Sequence, residues 1–256
     1  MLSSFPPGSN VLVQGSSRGI GYEFVRQLVQ CPALGLVFAA CRTPEQAADL
    51  HALRAVDSRL RIVRLDATSE DSIAAAAAAV ADAAPRLNLI VNSAGVLHDP
   101  VTGLAPEKRL AQVSPDALVQ AFATNAFGPL LVAKHFEALL AHRERAVFAS
   151  ISARVGSIGD NRLGGWYAYR GAKAAQNMFT RTLAIEWARS RRNVICVALH
   201  PGTTDTALSR PFQGNVPPEK LFPAERTVRQ LLAVIDGLRP TDSGRFLAWD
   251  GSDIPW

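Results

Sequence analysis

The sequence predicts an α/β fold: a single-domain, doubly wound parallel sheet of about seven strands with helices on both faces. Three observations carry this expectation. Short apolar runs alternate with helix-period stretches from one end to the other, the pattern of repeated strand–helix–strand units. Several runs are almost continuously apolar, as strands covered on both faces must be. The chain has 256 residues, 48% hydrophobic and 19% charged. That allows one large domain or two small ones, but no internal repeat or shift of composition marks a boundary, so residues 1–256 are read as one domain.

The expected strands are 10–14, 36–40, 61–65, 87–92, 145–150, 193–199 and 245–248. The expected helices are 20–30, 44–56, 71–83, 115–141, 167–189 and 224–237. Thr68 and Ser69 offer an N-cap, Glu70 and Asp71 supply first-turn acids, and Pro85 ends that helix. The weakly patterned pieces, 98–114, 156–165 and 203–223, follow the fourth, fifth and sixth strands. In such a sheet, loops beyond the carboxyl ends of strands build the site.

Net charge is 27 − 22 = +5. The three cysteines, at 31, 41 and 196, have neither a disulfide-framework nor a metal-ligand spacing. These counts exclude a disulfide-stapled module, a zinc ribbon and a tail-driven scaffold, and no metal is expected. The first eight residues lack a basic stretch followed by an apolar one, and the longest small-apolar run, 73–80, is far short of the roughly 20 residues of a membrane span. A cytoplasmic protein is expected. The densest basic stretch, Arg181, Arg189, Arg191 and Arg192, ends a predicted helix, where cations suit the negative end of the dipole, so no nucleic-acid partner is inferred.

The first strand runs into Gly15-Ser16-Ser17-Arg18-Gly19-Ile20-Gly21, which opens a helix. Glycines at 15, 19 and 21 permit a tight turn and close approach of backbone to a pyrophosphate, with donors from the helix N-terminus. A ligand-free turn is the bland alternative, but the place between strand and helix favours a dinucleotide. The second strand ends Cys41-Arg42, with no acid before Glu45. Arg42, joined by Arg18, suits a 2′-phosphate, which favours NADP(H) over NAD. Asp66, with Ala67 beside it, is the candidate at the adenine; its bland role is a helix cap.

Tyr169 and Lys173 stand at i and i+4 on one helix face. A phenol is a poor acid–base near neutrality, and a nearby ammonium is expected to lower its pKa. Asn92-Ser93-Ala94-Gly95 ends the fourth strand with small residues against which a cofactor can lie. Asn125 falls inside a predicted helix, where Asn is unfavourable. Pro201-Gly202-Thr203-Thr204-Asp205-Thr206 follows the sixth strand and is placed to close over the nicotinamide and diphosphate.

Taken together, the glycine turn, Asn92 to Gly95, Asn125, Tyr169 with Lys173, and Pro201-Gly202 resemble the short-chain dehydrogenase/reductase family over nearly the whole chain. A narrower similarity, to bacterial C-factor proteins and sniffer-type carbonyl reductases, rests on Arg154 to Ile158, Gly164 to Arg170, His200 to Thr206 and Trp249 to Trp256. The resemblance implies a Rossmann fold and hydride transfer between a nicotinamide and a carbonyl or alcohol. Tyr169 is then the proton donor, Lys173 holds the nicotinamide ribose and tunes Tyr169, Asn125 positions a water, and a serine polarises the carbonyl. It also allows a homodimer or homotetramer through helices 115–141 and 167–189.

Two departures stand out. Gln14 replaces the family's Thr before the glycine turn. The family's Ser-Ser after the fifth strand reads Ser152-Ala153, which leaves Ser157 as the favoured catalytic serine and Ser152 as the fallback. Trp166, Ile158, Leu163 and Phe212 are candidate pocket walls, and the tail ending in Trp256 is expected to pack back over the site or a neighbour. The leading function is an NADP-dependent carbonyl reductase or alcohol dehydrogenase; the alternative is a cofactor-binding regulatory protein of C-factor type.

Overall fold

The computed structural model describes residues 2–190 and 193–256; Arg191 and Arg192 of the basic stretch lie outside the described residues. Seven parallel strands form one sheet: β1 (Ser9–Gln14), β2 (Leu34–Cys41), β3 (Leu60–Arg64), β4 (Leu89–Asn92), β5 (Ala146–Ile151), β6 (Val194–His200) and, last in the sheet, β9 (Phe246–Ala248). Their order is β3-β2-β1-β4-β5-β6-β9. It reverses between β1 and β4, and that crevice is where an open α/β sheet takes its ligand.

Alternation along the strands divides the core. On one face Val11, Val13, Val91 and Val147 pack with Phe24 and Leu28 of α1 (Gly19–Val29), Leu50 of α2 (Ala48–Val56) and Leu231 and Ile235 of α7 (Ala224–Gly237). On the other, Leu12, Phe38, Ile90 and Phe148 pack with Ile73 of α3 (Glu70–Ala83) and with Phe136 and Trp187 of two later helices. Phe148 and Trp187 meet edge-to-face at 5.6 Å. Each fully buried side chain of this size stabilises by roughly 2 kcal/mol, and both faces are filled. As expected, Ser69 caps α3, its hydroxyl accepting from the Ser72 N–H at 3.3 Å.

The structure departs from the expected elements in three places. Residues 44–46 form a single 3-10 turn, and α2 begins at Ala48. The helix expected over 115–141 is α4 (Pro115–Phe122), a wide π-type turn (Ala123–Phe127) and α5 (Gly128–Leu140). Gly128 donates its N–H five residues back, to Ala123, and Pro129 has no N–H to give, which favours the wide turn. Asn125 therefore sits in a π-turn, not in an ordinary helix interior. Two short parallel strands, β7 (Thr203–Thr204) and β8 (Leu221–Phe222), pin the ends of the third long loop. As expected, the tail folds back: Trp256 stacks on Phe246 at 5.7 Å, and its carbonyl accepts from the Gly159 N–H at 2.8 Å. It thus braces the loop after β5. The last helix of the site, α6 (Tyr167–Arg189), has the expected bounds. Among the described residues no helix is long and apolar enough to cross a membrane.

Candidate active site

The glycine turn leaves β1 at the crevice. Gly15 has φ +80°, and a Cβ there would lie 2.4 Å from the Ala94 nitrogen. A Cβ at Gly21 would lie 2.1 Å from the Gly15 carbonyl oxygen, so α1 presses directly on the turn. Gly19, with φ +57°, faces only the Thr206 side chain, at 3.5 Å. The start of α1 has no side-chain cap and no acid in its first turn, and the N–H groups of Gly19, Ile20 and Gly21 have no acceptor within the helix. This donor set suits a phosphate. Ile20 contributes its backbone only, because its side chain packs on the core. Ser17 is half-buried in the turn, whereas the Ser16 hydroxyl is turned away to the Ala40 carbonyl at 3.0 Å. Gln14 explains its own departure: its side-chain oxygen accepts from the Ala94 N–H at 3.1 Å, tying the turn to the end of β4.

Arg18 and Arg42 are exposed at the rim. Asp66 does act as a turn cap: its Oδ1 accepts from the Thr68 N–H at 2.9 Å and hydroxyl at 2.7 Å. Ala67 is buried, and its carbonyl backs onto Gly128. Asn92 donates to the Ser150 hydroxyl at 3.3 Å, while its buried Oδ1 has no partner among the described residues. Asn125, fully buried, grips the loop after β4 by both ends of its amide. It donates to the Val96 carbonyl at 2.8 Å and accepts from the Val96 N–H at 3.0 Å. Its oxygen lies 3.2 Å from where a Gly95 Cβ would stand. The side chain is thus committed to Val96, and any water it positions must be held by its backbone.

Tyr169 and Lys173 share the inner face of α6, with the Lys173 Nζ 5.9 Å from the centre of the Tyr169 ring. Nζ donates to the Ile151 carbonyl at 2.8 Å and to the Gln176 Oε1 at 2.9 Å. Gly156 makes the approach possible, because a Cβ there would lie 2.7 Å from that of Lys173. Burial pushes Lys173 down to about 7 and Tyr169 up to about 12. The expectation that the ammonium lowers the phenol is therefore corrected for the protein alone: loss of solvation outweighs the lysine, which is itself driven toward neutrality.

The two serines differ in what their hydroxyls do. Ser152 is buried and donates to the Asn177 Oδ1 at 2.6 Å. Ser157 is equally buried, but its oxygen accepts from the Asp160 N–H at 3.0 Å, which leaves its proton uncommitted among the described residues. In the loop after β6, Pro201 is buried beside Gly202, over which Phe222 packs. Thr204 turns away from the crevice: its hydroxyl pairs with Thr227 of α7 at 2.9 Å. That hydroxyl is therefore committed to α7, and Thr206 is the residue whose side chain faces the glycine turn.

Of the four candidate pocket walls, Trp166 and Phe212 meet at 5.1 Å, with Trp166 also 6.3 Å from the Tyr169 ring and His98 5.9 Å from Phe212. Ile158 and Leu163 are 77% and 92% exposed and form no wall. Sequence reasoning missed Glu107. Its buried carboxylate accepts from the Ala168 N–H at 3.3 and 3.2 Å, capping the helix that carries Tyr169, and its backbone carbonyl accepts from Trp166, which is held at φ +55°. Gln176 was missed as well. A polar run, Gln176, Asn177 and Thr180, continuing the helical stripe of Tyr169 and Lys173 was the available signal.

Residues 9–216 match the profile of the short chain dehydrogenase family. The chain belongs to this family. As a short-chain dehydrogenase it is an oxidoreductase, and its structural neighbours include carbonyl reductases. A crystal structure of NADPH-bound carbonyl reductase from chicken fatty liver is 33% identical, with a TM-score of 0.87 over 98% of this chain and 100% of that one. Carbonyl reductase Sniffer of D. melanogaster is 27% identical, with a TM-score of 0.85 over 97% and 99%. C-signal of Myxococcus xanthus is 34% identical over 170 residues, 66% of this dehydrogenase and 93% of that protein.

Proposed function

We propose that this short-chain dehydrogenase is an NADP(H)-dependent reductase of carbonyl compounds, or dehydrogenase of the corresponding alcohols. The observation that carries the reading is the buried Tyr169–Lys173 pair on α6. Two ionisable groups are withdrawn from water at a cost that structure alone does not demand, the mark of a functional site. The nicotinamide, when bound, supplies the hydride. The chain's own part is to hold and time the proton. Tyr169 keeps its proton well above neutral pH and so is a stored acid that gives it up only to an oxygen becoming an alkoxide. Lys173, near its midpoint at neutral pH, takes or passes a proton and binds ribose hydroxyls. Ser157, with an unspent proton, orients the carbonyl, and Trp166 with Phe212 keeps water from it.

Gly15, Gly19, Gly21, Ser17, Ile20 and Thr206 take the diphosphate; Asn92, Ala94, Gly95 and Pro201 lie along the nicotinamide side, and Asp66 with Ala67 along the adenine. Arg18 and Arg42 take the 2′-phosphate, a role supported by their exposure at the rim and by the NADPH of the chicken reductase. A homodimer through α4, α5 and α6 is supported by exposed Val119, Phe127, Met178 and Ile185 on those helices and the π-turn. A cytoplasmic site of action fits three buried thiols, Cys31, Cys41 and Cys196. The deciding test is NADPH oxidation over a panel of ketones, aldehydes and quinones, with Tyr169→Phe alongside. Loss of turnover with NADPH binding retained is expected; full turnover in that variant refutes the mechanism.

The similarity to C-signal, together with Ala153 in place of the expected serine, favours a second reading, a cofactor-binding regulatory protein. It predicts NADPH binding without turnover on the whole panel.

A further inference from the structure

Lys173 is one of four lysines in the chain; Lys108, Lys134 and Lys220 are exposed, and Lys173 is buried. Its amine has two acceptors among the described residues, the Ile151 carbonyl at the end of β5 and the Gln176 Oε1. Gln176, only 2% exposed, is itself locked. Its Nε2 donates to the same Ile151 carbonyl at 3.4 Å, which turns Oε1 toward the lysine. The reversed amide would aim two N–H donors at an amine that already carries donors.

We propose that Gln176 is a positioning residue: it holds the Lys173 amine at the end of β5, behind the Tyr169 ring, and decides what share of that amine is charged. The proposal rests on reading Tyr169 and Lys173 as the acid–base pair. Its logic is a balance. Burial disfavours the ammonium and pushes Lys173 down to about 7. A fixed carbonyl oxygen at hydrogen-bond distance favours the ammonium. Without Gln176 the amine keeps one acceptor and is driven further toward neutrality; with a carboxylate there it becomes half of an ion pair.

Other ionisable groups around α6 leave this balance to Gln176. Tyr169 presents its ring face. On the turn packed against Lys173, Arg154 is exposed and directed to Asp160 at 3.4 Å. On β6, Cys196 stays a thiol, raised by burial, and His200, pushed down to about 4 chiefly by burial, accepts from the Arg154 N–H through Nδ1. At the head of the helix, Glu107 is spent on Ala168.

The experiment is an NMR titration of protein carrying lysine labelled at Cε, in which Lys173→Arg identifies the one buried signal. Lys173 is expected to titrate near neutrality while the other three titrate near the ordinary value of about 10.4. Gln176→Leu should move the Lys173 midpoint down by about one pH unit, and Gln176→Glu should move it up by at least as much. The pH profile of kcat should shift in the same two directions. Gln176→Met replaces the leucine variant if that one does not fold. A Lys173 midpoint unchanged in the apolar variant overturns the proposal, as does a midpoint that moves while the kcat profile stays in place. The reductase reading fails separately, through undiminished turnover of Tyr169→Phe, and the NMR midpoint still reports on Gln176 in that event.

Discussion

Burying Lys173 should make the stability of this protein depend on pH in a way that one substitution removes. The unfolded lysine has its ordinary pKa of 10.5, and the folded one is pushed down to about 7. Between these values the unfolded chain binds a proton that the native state does not, so stability rises with pH across that window and the burial penalty is full below it. Integrating from pH 7 to pH 9 gives a gain of about 2 kcal/mol. This is an upper bound, since the bonds to Ile151 and Gln176 favour the charged form. Urea unfolding of the wild type and of Lys173→Met at both pH values measures it. Comparing the two pH differences cancels the packing change that the methionine brings. The wild type should gain about 1–2 kcal/mol more than the variant on going to pH 9. Equal gains would mean that Lys173 is solvated in the native state, which would remove the physical basis of the site as described.

Other outcomes follow from single contacts. Arg42→Leu should weaken NADPH binding by about tenfold to a hundredfold and leave NADH nearly unchanged, because a charged hydrogen bond to phosphate contributes about 1.5–3 kcal/mol; fluorescence titration of both cofactors checks it. Ser157→Ala should lower kcat with little change in melting temperature. Ser152→Ala should do the reverse, costing about 1–3 kcal/mol by orphaning the buried Asn177 oxygen. Glu107→Ala should cost about 1–2 kcal/mol as a lost helix cap and lower kcat more than it raises KM, because the start of α6 sets the position of Tyr169.

The sheet was legible because its physics is local. A strand buried on both faces must be apolar at nearly every position, and β4, β5 and β6 are. The helices α6 and α7 were readable to the residue, since each begins where an extended loop stops and ends where its apolar stripe does. The long helix 115–141 was not, because Leu118, Phe122, Ala126, Ala133, Phe136 and Leu140 keep a helical period in the sequence straight through the π-turn. One extra residue in a turn changes the register by only part of a turn, and nothing in composition marks it. Pro129 and the out-of-place Asn125 were the two available signals, and they point to the same interruption.

The site divides along a similar line. Residues whose role is to be small or to carry one charge, such as Gly15, Gly19, Arg42 and Lys173, announce themselves by type and place. Residues whose role depends on a partner far along the chain do not. Thr204 reads as a loop hydroxyl near a cofactor until Thr227, 23 residues on, claims it. Ser152 and Ser157 have the same chemistry in sequence and become distinct only when the Asn177 Oδ1 accepts from one and the Asp160 N–H donates to the other. Gln14 looks like a lost threonine, yet its longer side chain reaches the Ala94 N–H across the crevice and ties the turn down. Ala153 has no such substitute at its own position. We propose that the hydroxyl comes instead from the loop that Gly156 lets lie against Lys173, where Ser157 has a hydroxyl proton uncommitted among the described residues.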